Sequence, residues 1–317
     1  MLCHRLTGHD ARERCAESSS RPEEKAGTGR RVSNVLLKNV IEASLLIHPA
    51  YSIADPVRTV RVGKVTTVKR CWMGCLFCTL ADPVPNTPLP LTPPGLRLNI
   101  LDTLTVDWHV DRIKIRGGLS SNDPPDYWIH WVKALRERTT AVLQGFSAVE
   151  VYQWHLTSQR PILELLRHLK WAGLDRLGPG GSEMLVDRWR YAWAPYRLPI
   201  ETWAHIVQWA AEAGLETTGT LIVVADLPTE VIHRHWARLR DAGVHHIEIK
   251  AFHGESGLAS WGRPHGWEIY EAATIARDYF PTETLAISGL PDHPDWRQIF
   301  TALQPVHWLT TAWEVTP

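Results

Sequence analysis

From Asn34 onward, short β-branched runs alternate with amphipathic segments bounded by Pro, Gly, Ser or Asp. The runs "TVRVGKVTTVKR" (59–70), "RIKIRGG" (112–118), "AVLQGFSAVEV" (141–151), "DRLGPG" (175–180), "TTGTLIVVA" (217–225), "HHIEIKAF" (245–252), "TLAISG" (284–289) and "VHWLTTAWEV" (306–315) read as eight strands. The clearest helices between them are "PDYWIHWVKALRER" (125–138), "PILELLRHLKWAG" (161–173), "PIETWAHIVQWAAEAG" (199–214) and "PTEVIHRHWARLRDAG" (228–243). Each opens with Pro near its first turn and three close on Gly, as helix starts and stops favour. Strict alternation predicts an α/β fold whose parallel sheet closes into a (β/α) barrel, because no dinucleotide-binding glycine pattern follows the first strand. An open doubly wound sheet is the second architecture. Residues 1–33 are charged and punctuated by Ser and Gly without apolar periodicity, which predicts a disordered leader or a misassigned start. The barrel domain is then 34–317.

Composition narrows the function classes. The 317 residues suffice for one large domain or two small ones. Lys plus Arg and Asp plus Glu number 34 each, so no net field draws in nucleic acid or an anionic membrane, and neither is expected as a partner. No apolar run approaches a transmembrane length, and the first residues are too polar for a secretory signal, so a cytoplasmic protein is expected. Five cysteines in such a chain make no disulfide framework; a reducing compartment would keep them as thiols or metal ligands.

Three of those five lie in "RCWMGCLFCTL" (70–80). Cys71, Cys75 and Cys78 have the spacing CxxxCxxC, with Phe77 directly before the last. The stretch follows the first predicted strand and falls on a loop at the end of the barrel where such folds carry their chemistry. Three thiolates can hold three corners of a 4Fe-4S cluster and leave one iron open to an exchangeable ligand. A zinc knuckle, or three adventitious thiols, is the alternative. Zinc would need a fourth ligand, and the next cysteine is Cys15 in the leader, with His4, His9 or His109 as other sources.

This motif on this loop resembles the radical S-adenosylmethionine superfamily. The resemblance implies a TIM-type (β/α) barrel of radical SAM type, a 4Fe-4S cluster on Cys71, Cys75 and Cys78, and S-adenosyl-L-methionine chelated by the open iron. It also implies a reductant such as flavodoxin or ferredoxin, and a 5′-deoxyadenosyl radical directed at a small-molecule substrate. Gly117 and Gly118, at the end of the second strand, match the glycine motif that meets the amino group of S-adenosylmethionine. Many members carry an acidic residue next, where this chain has Leu119. Gly-Gly-Leu followed by a polar residue resembles the subgroup of aminofutalosine synthase, dehypoxanthine futalosine cyclase and the deazaflavin-forming FO synthase. The similarity continues through "GFSAVEVYQW" (145–154), "LLRHLKWAGLDRLGPGGSEMLVD" (165–187) and "AAEAGLETTGTLIVVADLPTEVIHRHWARLRDAG" (210–243). It covers most of 110–245 and fades before Asn34 and after about Gly257.

Individual positions carry further expectations. Gly178 to Gly181 with Pro179 form a sharp turn from strand into helix, whose free N–H groups would face a polar ligand. In the alternative, Ser182 caps that helix and Glu183 complements its dipole. The resemblance places Glu183 in an Ala-Glu pair lining the cofactor pocket. A carboxylate such as Glu150, with Ser147 at the end of the third strand, could accept hydrogen bonds from ribose or substrate, or be a solvated loop acid. Thr218 and Thr220 flank Gly219 and could point into the barrel, although threonine is common in strands. His253 and Glu255 follow the sixth strand as candidate substrate-facing groups. The cofactor set is thus Phe77, Gly117, Gly118, Ser147, Gly180, Gly181, Glu183 and Thr220; the catalytic set is Glu150, His253 and Glu255. Trp128, Trp131, Trp154, Trp171, Trp203, Trp209 and Trp236 are expected to pack helices onto the barrel, and His233 and His235, two apart, cannot share a helix face to bind a metal.

The expected reaction is radical addition to, or hydrogen abstraction from, an aromatic or nucleoside-like substrate in cofactor or secondary-metabolite biosynthesis. Sulfur insertion in the manner of biotin or lipoyl synthase would need a second cluster, for which only Cys3 and Cys15 remain. A non-catalytic iron–sulfur or zinc protein is the third possibility. Two departures bear on substrate: relatives carry a Gly-His pair and a glutamate after the fifth strand, where this chain reads "VVADLP" (223–228), and the C-terminal region is short.

Overall fold

Alternating apolar and polar positions become a closed barrel in the computed structural model, which describes residues 57–68, 71–81, 106–119, 124–253, 259–290, 294–303 and 305–315. The predicted leader, 1–33, lies outside the described residues. The strands are β1 (Arg58–Thr66), β2 (Arg112–Arg116), β3 (Val142–Ser147), β4 (Arg176–Gly178), β5 (Glu216–Val223), β6 (His246–Ala251), β7 (Leu285–Ser288) and β8 (Val306–Val315). Each pairs in parallel with the next, and β8 closes on β1. The closed eight-strand ring confirms the barrel over the open sheet.

Helices coat the outside: α1 (Pro125–Arg136), α2 (Ala148–Ser158), α3 (Ile162–Trp171), α4 (Asp187–Trp193), α5 (Ile200–Glu212), α6 (Thr229–Asp241), α7 (Gly266–Tyr279) and α8 (Pro294–Phe300). Pro161, Pro199 and Pro228 are the N-caps of α3, α5 and α6, and Pro125 is the first residue of α1. Past the ends of α3, α5 and α6, Gly173, Gly214 and Gly243 adopt left-handed backbone (φ 103°, 81° and 74°), turning the chain back toward the next strand. Among the described residues no helix is long and apolar enough to cross a membrane.

The third strand is shorter than its apolar run predicts. It stops at Ser147, whose Oγ accepts the Glu150 N–H at 3.3 Å and so starts α2. A capping serine wins over a continuous apolar pattern because it satisfies an otherwise orphaned helix donor.

Strand alternation sorts the core. Ile113, Leu143, Ile247, Ile249, Leu285 and Ile287 are buried among the coating helices. Each such side chain contributes about 1.5–3 kcal/mol by leaving water. Trp128, Trp131, Trp154, Trp203 and Trp236 are buried as expected, whereas Trp171 and Trp209 are exposed. Inward positions are polar instead. Arg112 Nη1 donates to Glu248 Oε1 and to Gln144 Oε1, both at 3.2 Å, Lys114 Nζ donates to the Glu248 carboxylate at 2.7 Å, and Gln144 Nε2 donates to Thr218 Oγ1 at 3.3 Å. Burial alone would raise Glu248, but Lys114 and Arg112 outweigh it and hold the carboxyl at about 2.

Candidate active site

The cysteine loop follows β1 and is tied down at both ends. Cys71 bridges Ala81 in parallel, and the Leu76 N–H donates to Trp193 O, on the last residue of α4, at 2.9 Å. Phe77 lies edge-on to Trp193 with ring centroids 6.4 Å apart, which fixes the loop against the barrel's end. Cys75 is buried; Cys71 and Cys78 are half-buried, and no disulfide joins them.

Each sulfur receives an N–H donor. Cys71 accepts from the backbone of Leu119 and Met73, Cys75 from Arg197 Nε at 3.1 Å, and Cys78 from the Leu80 N–H at 3.4 Å. Burial pushes the Cys71 and Cys75 thiols up, and neighbouring cysteines add to this. Protons are therefore retained by the free thiols, while the donors are arranged for thiolates, the form a metal centre takes. Among the described residues no three His, Cys, Asp or Glu side chains are placed to hold a single metal ion. A cubane asks something different, one thiolate per iron, and three hydrogen-bonded sulfurs on one short loop fit it.

Sequence reasoning missed Arg197. It lies in the turn between α4 and α5, and its guanidinium joins Cys75 to Glu183, donating to Glu183 Oε2 at 2.8 Å and lying 5.3 Å from the centre of the Phe77 ring. Burial works against its charge, but Glu183 and Cys75 outweigh that and raise its pKa further. No spacing in "APYRLP" signals this contact, because it depends on the turn folding back over the cysteine loop.

Glycines shape the wall beside these groups. A Cβ at Gly117 would lie 2.1 Å from Thr67 Oγ1, and one at Gly180 would lie 2.7 Å from Ser147 Cβ, so these glycines let the strand ends close on one another. Gly181 has φ 102° and donates its N–H to Glu183 Oε2 at 2.9 Å. The predicted helix start at Ser182 is not formed: α4 begins at Asp187, and the Ser182 hydroxyl donates to Pro179 O and accepts the Thr220 N–H. Buried tertiary partners at β5 claim the serine before a helix can.

Gly118 and Leu119 share a small cleft with Thr67, Val68, Trp128, Glu150, Gln153 and Trp154. Ser147 Oγ donates to Glu150 Oε2 at 2.8 Å, yet burial pushes the Glu150 carboxyl up to about 7. Ser147 therefore caps the helix and holds Glu150, which is a polar wall of the cleft. Thr220 points inward on β5 like Thr218, because a Cβ at Gly219 between them would face Leu239 of α6. His253 is exposed just past β6, with its Nε2 2.9 Å from where a Cβ on Gly289 would be, beyond β7. Glu255 lies outside the described residues. His235 is structural: it is buried and its Nδ1 accepts the Leu185 N–H at 3.1 Å.

No family profile matches the chain. It is similar to a cyclic dehypoxanthine futalosine synthase of Halalkalibacterium halodurans, 24% identical over 256 residues, covering 79% of this chain and 67% of that one. An FO synthase of Streptomyces avermitilis is 29% identical over 215 residues, 62% of this chain and 24% of that one. An aminodeoxyfutalosine synthase of Thermus thermophilus is 25% identical over 175 residues, 50% of this chain and 43% of that one. The chain thus spans two thirds of the first relative and less than half of the other two. Among solved structures, methylornithine synthase superposes with a TM-score of 0.62 over 87% of this chain and 78% of that one at 11% identity, a likeness of fold.

Proposed function

We infer that this chain is an enzyme of the same kind as these relatives, a radical S-adenosylmethionine enzyme acting on a small organic substrate in cofactor or secondary-metabolite biosynthesis. The observation that carries the reading is the cysteine loop itself: three thiols on the first barrel loop, each with an N–H donor already aimed at its sulfur. Cys71, Cys75 and Cys78 would hold three irons of a 4Fe-4S cluster. When bound, the cluster supplies the electron for reductive cleavage of S-adenosylmethionine to methionine and a 5′-deoxyadenosyl radical.

The chain's own residues bind, orient and exclude water. Arg197 and Glu183 form an ion pair beside Cys75, and such a pair of opposite charges matches the carboxylate and ammonium of an amino acid. Gly118 offers backbone at the cleft without a side chain in the way, Leu119 lines the cleft beside it, and Glu150 provides an acceptor for hydroxyl or ammonium donors. Because Glu150 titrates near 7, it is partly protonated at neutral pH and gains acceptor strength as the pH rises. Trp128 and Trp154 close the cleft with apolar surface, which keeps water from a reactive radical. His253, just past β6, would face the substrate, and Glu255 is proposed to share its role. A flavodoxin or ferredoxin would deliver the electron.

The test is product analysis of the anaerobically reconstituted chain with S-adenosylmethionine and dithionite. Formation of 5′-deoxyadenosine or an adenosylated product is expected; a fully loaded cluster that leaves S-adenosylmethionine intact would overturn the proposal.

A further inference from the structure

The inward faces of the strands are out of charge balance. Among the described residues Lys64 on β1, Arg112, Lys114 and Arg116 on β2 and Lys250 on β6 have ion-pair partners only in Glu248 on β6 and Glu314 on β8, while Glu216 and Asp111 act on Arg112 from further off. Glu248 is fully used by Arg112 and Lys114, at 3.2 and 2.7 Å. Glu314 pairs with Arg116 and stands 3.8 Å from Lys64. Among the described residues Lys250 has no carboxylate partner, although it is close enough to Lys64 and Lys114 to repel the charge on both. Burial first, then Arg116 and Lys250, lowers Lys64 below an ordinary lysine. Like charges crowded at the barrel mouth repel one another, and a group of opposite sign joining them relieves that repulsion.

A second observation points to the same place. Thr66 and Thr220 are buried, at 3% and 4% exposure, and their hydroxyls have no hydrogen-bond partner among the described residues. Thr66 is two residues beyond Lys64 on the same face of β1 and in register with Arg116; Thr220 is in register with Glu248. A buried hydroxyl left unpaired costs about 1–3 kcal/mol. Two such groups facing a surplus of ammonium and guanidinium groups form a set of donors without an acceptor.

We propose that the upper barrel interior, with Lys250, Lys64 and Arg116 as charge partners and Thr66 and Thr220 as hydroxyl donors, binds the anionic group, carboxylate or phosphate, of the organic substrate. Lys250 comes from β6, whereas Lys64, Thr66, Arg116 and Thr220 border the Gly118–Glu150 cleft and the Ser182–Glu183 turn at the ends of β1, β2 and β5, so the anion would lie beside the cofactor groups, where the substrate must meet them. Lysine and arginine with hydroxyl donors are a common match for oxyanion oxygens. Calling the anion a substrate group rests on the radical reading of the mouth; the anion site itself does not, and it is open to test without the cluster.

The experiment uses the full chain without cluster, titrated with fluorobenzoate followed by fluorine NMR and with inorganic phosphate followed by phosphorus NMR. Saturable line broadening by one probe is expected, and the probe that binds separates carboxylate from phosphate. Lys250 is exposed, so Lys250→Met should fold as the wild type by circular dichroism yet bind about tenfold or more weakly, a loss of about 1.4 kcal/mol. Lys250→Arg should retain binding, and Thr220→Val should weaken it by a smaller factor. Absence of saturable binding for both probes, or wild-type binding by Lys250→Met, would overturn the site. Anion binding by a chain that does not cleave S-adenosylmethionine would remove the radical reading and leave the site; cleavage by a chain that binds neither anion would do the reverse.

Discussion

The two sides of the barrel mouth are built by different means. On the side of β1 to β4, the groups come from short stretches of contiguous sequence: a cysteine loop, a glycine pair, a Ser-Glu cap and a glycine-rich turn. Backbone N–H groups supply much of the donor set there, reaching Cys71 and Cys78 directly. On the side of β5, β6, β8 and the interior, single side chains from distant strands converge, as Lys114 and Glu248 do across 134 positions of sequence. The difference teaches that a site assembled from local turns tolerates divergence in the rest of the chain, whereas a site assembled from inward strand positions can be rewritten one residue at a time.

The sharpest break in the comparison is on the cysteine side. Replacing Cys71, Cys75 or Cys78 by Ala should abolish both the brown iron–sulfur chromophore and cleavage of S-adenosylmethionine, since each thiolate holds a separate iron. Cys3→Ala and Cys15→Ala should change neither. Absorbance and iron content of the reconstituted variants are the readouts, and full activity in Cys75→Ala would remove the cluster from the account.

On the interior side the largest effect is on stability. Glu248→Gln leaves Lys114 and Arg112 without their carboxylate and should cost about 3–5 kcal/mol in denaturant unfolding. The pH dependence follows from the sign of the shift. A carboxyl held at about 2 in the fold, against 4.5 when free, contributes fully above 4.5 and progressively less as the pH falls toward 2. Wild type should therefore lose stability over that interval more steeply than Glu248→Gln, and parallel curves would show that the carboxylate is not what balances the interior.

A smaller effect is expected at Glu150. With its carboxyl pushed up to about 7, affinity for the cationic S-adenosylmethionine should rise between pH 6 and 8, by up to about tenfold per unit at most. Glu150→Gln should bind with a flat profile. A slope unchanged in the variant would mean that Glu150 only caps its helix through Ser147.

Much of this was legible in the chain. The eight strands and four principal helices fall within a few residues of their predicted places because period-two and helical patterns, Pro starts and Gly stops all agree. The run 141–151 misled because its apolar content hides the Ser147 cap, and the Gly178–Gly181 turn because tertiary partners took Ser182. Arg197 had no local signature at all. The charged interior did have one: "RIKIR" and "HIEIK" place charges at alternate positions between isoleucines, as expected when one face of a strand meets helices and the other meets a polar barrel centre.

On the proposed reading, three thiolates would leave one iron free for the cofactor, and electron paramagnetic resonance of the reduced, reconstituted chain with and without S-adenosylmethionine checks this. A cluster signal is expected whose g values move when S-adenosylmethionine is added and stay put when adenosine is added instead. Identical spectra with and without S-adenosylmethionine, from a chain carrying its full complement of iron, would contradict it.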